Sequence, residues 1–72
     1  MVEYTIASFV GADPVGARHV NSEREAKTLA RMIYADLCLR HAKRSTDIRV
    51  FVYPVVNGEP QANILVIDAD ND

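Results

Sequence analysis

The sequence predicts an α+β fold, a three- or four-stranded antiparallel sheet in ββαββ or βαββ order with one long helix packed on one face. Three observations carry that expectation. One amphipathic run, Ser22 to Arg44, is the only stretch long enough to cover a sheet. Two β-rich runs flank Asn57-Gly58, the strongest short-range hairpin signal, because both central positions of a type I′ turn need positive φ. A third run, Val2 to Val10, alternates apolar residues and ends at Gly11-Ala12-Asp13-Pro14, which is turn chemistry. Residues 1–72 read as a single domain.

Within the first run, Val2, Tyr4, Ile6 and Val10 fall on one face of a strand and Thr5, Ala7 and Phe9 on the other, since side chains alternate with period two. Val15 to Val20, interrupted by Gly16, reads either as a second strand returning antiparallel to the first or as an extended loop. The helix start is well marked. Ser22 followed by Glu25 forms a capping box, in which the serine oxygen accepts from the amide of the third helical residue. Glu23 and Glu25 in the first turn, and Arg40, Lys43 and Arg44 towards the end, oppose the helix macrodipole. Glu23 with Lys27, and Asp36 with Arg40, are i,i+4 pairs of the favoured orientation.

At about 100° per residue the helix separates two apolar stripes. Ala26, Leu29, Ala30, Ile33 and Leu37, flanked by Tyr34 and His41, form the core face. Met32, Ala35 and Leu39 lie on nearly the opposite side. They are either scattered apolar residues between long Lys and Arg stems or a helix-mediated contact with another chain. Beyond the helix, Ile48 to Val56 is strongly β, since only Arg49 and Pro54 depart from Ile, Val, Phe and Tyr. Pro54 marks an edge or a bulge because it cannot donate to a ladder. With Asn57-Gly58 as the loop and Ala62 to Ala69 returning, Ile48, Val50 and Val52 share a face with Leu65 and Ile67. Arg49, Phe51 and Tyr53 share the other with Ile64 and Val66.

Both faces are therefore apolar, and one helix covers only one of them. Antiparallel sheets usually present a polar solvent face instead. A second copy, a different protein or stacked bases would cover the remaining face.

Composition narrows the class. The chain is about half hydrophobic, which argues against disorder, and no apolar run approaches the ~20 residues of a membrane helix. The start lacks the basic and apolar regions of a secretory signal, and a single cysteine fits a reducing, cytoplasmic setting. The net charge of −2 is unevenly spread, with all eight basic residues between Arg18 and Arg49, where four acids leave that segment at +4. Arg24, Lys27 and Arg31 form a basic ridge at i, i+3 and i+7.

Candidate chemistry is sparse. Cys38 with His19 and His41 has neither an orienting third group nor an oxyanion hole, and lacks zinc-type spacing. Asp68-Ala69-Asp70-Asn71-Asp72 opens like a calcium loop, without its glycine and closing glutamate. No cofactor and no enzymatic activity are expected. The expectation is a non-enzymatic protein-binding module that forms a homo-oligomer, a dimer in the simplest case. Arg49, Phe51 and Tyr53 are its primary anchors, because aromatics and arginine dominate binding hot spots. Arg24, Lys27 and Arg31 form a second surface, and Met32, Ala35 and Leu39 the contact between copies. The alternative partner is nucleic acid, held by the aromatic sheet face or the basic helix, although phosphate affinity demands a basic surface. In layout, the order of strand, short return, Ser-capped helix and Asn-Gly hairpin resembles several small stand-alone proteins carried by phages and mobile elements. Some of these are anti-CRISPR inhibitors. That resemblance implies action by blocking a partner surface and transfers no residue roles.

Overall fold

The computed structural model describes residues 2–41 and 47–69. Five strands and one helix follow in the order β1 (Val2–Val10), β2 (Asp13–Val20), α1 (Glu23–Arg40), β3 (Ile48–Val56), β4 (Glu59–Pro60) and β5 (Leu65–Ile67). The sheet runs β2-β1-β3-β4, with β5 also paired to β3, and every pairing is antiparallel. The α+β architecture predicted from the sequence is thus the observed one, in its ββαββ form with the last hairpin arm split in two.

The first hairpin is tighter than the sequence implied. Gly11, at φ +62°, makes the turn with Ala12, and Asp13 already pairs with Val10. Pro14 therefore lies inside β2. It is tolerated there because β2 is an outermost strand, where a missing N–H need not break a ladder. The register shifts between Ser8 and Phe9, whose partners are Gly16 and Pro14, so Val15 is left as the bulged residue. Of the two readings for Val15 to Val20, the strand is correct.

α1 begins where the capping box placed it. Ser22 has extended backbone and its hydroxyl accepts from the Glu25 amide at 3.3 Å. Both expected i,i+4 ion pairs form, Lys27–Glu23 at 3.0 Å and Arg40–Asp36 at 3.1 Å. The helix ends at Arg40, with the His41 amide donating to the Leu37 carbonyl. The expected continuation through Lys43 and Arg44 lies outside the described residues.

The core forms between α1 and one face of the sheet. Ile6, Ile48, Val50, Val52 and Ile67 are fully buried from the sheet side and Ala26 and Ala30 from the helix, with Leu37 nearly so. α1 sits mainly over β3 and β1 and only grazes β2 and β5. Two alanines are fully buried against the sheet, where a larger side chain would hold the helix off it. Leu29 and Ile33, expected at the centre of the core stripe, pack against its margin and are half-buried.

The second hairpin turns as predicted, with Asn57 at φ +52° and Gly58 at φ +85°. Val56 pairs with Glu59 and Val55 with Pro60. The returning chain then slips. Val52 pairs with Leu65 and Val50 with Ile67, two residues beyond the register that the turn sets. The slip is absorbed where the Gln61 amide donates to the Pro54 carbonyl and the Ile64 amide to that of Val52, both at 2.8 Å. Instead of one strand from Ala62 to Ala69 there are two short pieces. The face assignments survive, because a shift of two residues preserves side-chain parity.

Candidate interaction surfaces

On the sheet face turned away from α1, the pairings align side chains in rows. His19, Thr5 and Tyr53 cross the sheet in one row; Ala17, Ala7, Phe51 and Val66 form the next; Pro14, Phe9 and Arg49 form a third. Phe9, Phe51 and Tyr53 lie outside the core cluster. No helix or strand lies over this face among the described residues.

The middle row is apolar throughout, and Ala7 leaves room in which the two phenylalanines meet. Phe9 and Phe51 pack edge to face, with centroids 5.7 Å apart at 67°, the arrangement favoured by the ring quadrupoles. The aromatic side chains are half-buried rather than fully water-exposed, as is Val66. This corrects the expectation of a face left open to solvent. The sheet curls enough for neighbours to shield each other, and of the predicted apolar set only Ile64, just ahead of β5, is exposed.

Polar groups border the apolar row. Thr5 is only 4% exposed, and its hydroxyl lies 3.1 Å from Nδ1 of His19. At the other border the Arg49 guanidinium donates to the Gly11 carbonyl at 3.0 Å. Arg49 thus ties β3 to the first turn, where the Gly11 amide also donates to the Asp47 carbonyl. It remains exposed at the rim. Thr5 and His19 escaped the sequence reading. Period-two alternation already placed Thr5 beside Ala7 and Phe9, but joining His19 to that row required the register of β2.

Two members of the basic ridge are engaged within the helix itself. Lys27 is paired with Glu23, and the Arg31 guanidinium donates to the Lys27 carbonyl of its own helix. Arg24 stands on the side of α1 that looks towards β2. Met32, Ala35 and Leu39 all face outward as expected, with Met32 63% and Leu39 82% exposed.

For the candidate chemistry, Cys38 is a free thiol packed against the core margin, and His19 is engaged by Thr5. Among the described residues no cluster of three or more His, Cys, Asp or Glu side chains is placed to hold a metal ion. No helix among them is long and apolar enough to cross a membrane. The acidic run from Asp70 to Asp72 lies outside the described residues. Compared with protein-family models, curated proteins and solved structures, the chain finds no match among them.

Proposed function

We propose that the protein is a non-enzymatic binding module that occupies the surface of another protein through the sheet face opposite α1. The observation behind this reading is the apolar row Ala17, Ala7, Phe51 and Val66, flanked by Phe9 and Tyr53 and bordered by His19 and Arg49. An apolar centre with a polar rim is the anatomy of a protein interface. Tyr53 and Arg49 are of the types that dominate binding energy. A nucleic-acid partner is less well supported, because the rim cation Arg49 is already engaged by a backbone carbonyl and Glu3 lies on the same face, opposite Val55. A second copy of the chain is assigned to a different surface, the exposed Met32, Ala35 and Leu39 on the outer side of α1.

Photo-crosslinking from position 53 tests the main reading. A photoreactive phenylalanine in place of Tyr53, in cells expressing the chain, should give a discrete protein adduct that disappears with Phe51→Glu. The same probe in place of Asn57, at the hairpin tip, should give none. Adducts to nucleic acid alone, or equal adducts from both positions, would sink it.

A further inference from the structure

β2 and α1 run side by side without closing on each other. Between them lies an open groove, formed of two depressions that share Arg18 as a lining residue. The larger, about 480 Å³, has Val20, Leu29 and Met32 along it and Arg18 and Arg24 at its sides, one cation from each wall.

Three features of this groove point to the same kind of occupant. First, β2 is an outermost strand whose residues are all exposed except Val20. Such an edge offers unpaired backbone N–H and C=O groups to an added strand. Pro14 and the bulged Val15 blunt its first half, which leaves Ala17 to Val20 as the regular, pairable segment. Second, a strand added there would set alternate side chains over Val20, Leu29 and Met32, the usual source of specificity in strand addition. Third, Arg18 and Arg24 form no ion pair among the described residues. The acid of the adjoining depression, Asp36, is already held by Arg40 at 3.1 Å. Two free guanidinium groups face a single unpaired carboxylate, Glu25, along the larger depression. Guanidinium groups bind carboxylates through paired N–H donors.

We infer that this groove receives an acidic peptide of another protein, in extended conformation, added as a strand to Ala17–Val20 with its carboxylates on Arg18 and Arg24. Charge argues against a second copy in the same place. No register of antiparallel self-pairing within Ala17–Val20 sets an acid opposite Arg18, since the segment has none, and the register that sets Arg18 opposite Arg18 is destabilised by like charges directly across the ladder. A register that places Asp13 opposite Arg18 would draw Pro14 and Val15 into the ladder. Two free guanidinium groups beside an apolar floor also suit a peptide better than a phosphate backbone, whose affinity grows with the number of neutralised charges. This surface is separate from the aromatic sheet face, and either can fail without the other; it shares Met32 with the outer stripe of α1.

The test is unbiased selection from a displayed library of random short peptides, followed by chemical-shift mapping with the best synthetic peptide. Selected sequences should be enriched in Asp and Glu at alternating positions with apolar residues between. Amide shifts should concentrate on Ala17–Val20 and on Leu29 and Met32. Arg18→Glu and Arg24→Glu should each weaken binding about tenfold or more, whereas Arg31→Glu should leave it unchanged. All three arginines are exposed, and an unaltered circular dichroism spectrum would verify that the variants fold. Four results would overturn the inference: selected peptides without acidic enrichment, shifts on Phe51 and Tyr53 instead, indifference to both reversals, or displacement of the peptide by an equimolar thymidine oligonucleotide.

Discussion

Gly16 shows what a single residue decides in this fold. In the sequence it looks like an interruption of a weak strand. In the structure it is the partner of Ser8, whose hydroxyl is buried and donates to the Gly16 carbonyl at 3.2 Å. A Cβ at position 16 would come within 3.0 Å of that hydroxyl oxygen. Gly16→Ala should therefore destabilise by about 0.5–1.5 kcal/mol, by forcing the Ser8 side chain off its rotamer. Ser8→Ala alone should cost about 0.5–1.5 kcal/mol for the lost hydrogen bond. The double variant should be more stable than the sum of the two losses, because removing the hydroxyl removes the clash. Urea unfolding of all four proteins closes the cycle, and strict additivity would contradict the close approach. Gly58 poses a different constraint, with open space around it but φ at +85°. Gly58→Ala should cost about 1–2 kcal/mol through the left-handed backbone alone. The turn glycine was legible from the dipeptide Asn57-Gly58; the packing glycine was not, because its reason lies eight residues away on another strand.

At the scale of the element, the ends and faces of α1 were legible while the depth of its packing was not. Ser22, Glu25 and the two i,i+4 pairs are local features, written in three- and four-residue spacings that need no tertiary knowledge. Burial depends on where the helix crosses the sheet. Ala26 and Ala30 at the crossing are fully buried, whereas Leu29 and Ile33 sit towards the open groove. Leu37→Ala should accordingly cost about 2–5 kcal/mol and Ile33→Ala clearly less, a ranking the shared stripe does not predict. Ala30→Leu should also destabilise, by about 1–3 kcal/mol, since it would push α1 off β1 and β3. Equal losses for Leu37→Ala and Ile33→Ala in denaturant unfolding would mean that the crossing is misplaced. The slip of the last strand has a similar origin. Apolar alternation fixes register only to within two residues, so the pairings of Val50 with Ile67 and of Val50 with Leu65 satisfy the same pattern. Nothing local distinguishes them.

For the molecule as a whole, one helix on one face leaves a small two-layer body, 39 × 22 × 19 Å with a radius of gyration of 11.9 Å. A chain of this length buries only about 60% of its unfolded surface, which makes association a direct route to further stability. We propose the exposed outer stripe of α1 as the surface for it. Pairing two such helices antiparallel about a twofold axis sets Met32 of one copy beside Leu39 of the other and the two macrodipoles in opposition. Light scattering at micromolar concentration should accordingly give about twice the 8.0 kDa chain mass. The melting temperature should rise with protein concentration, because only the folded chain associates. Leu39 is the discriminating position: it is 82% exposed and lines neither depression of the groove beside β2. Leu39→Glu should return the mass to that of one chain and remove the concentration dependence, while Phe51→Glu, on the opposite side of the sheet, should leave the dimer intact. A monomer at every concentration would rule out the outer stripe as a contact. A dimer that persists in Leu39→Glu but is lost in Phe51→Glu would move self-association to the aromatic face, and the partner proposed for that face would then be a second copy of this chain.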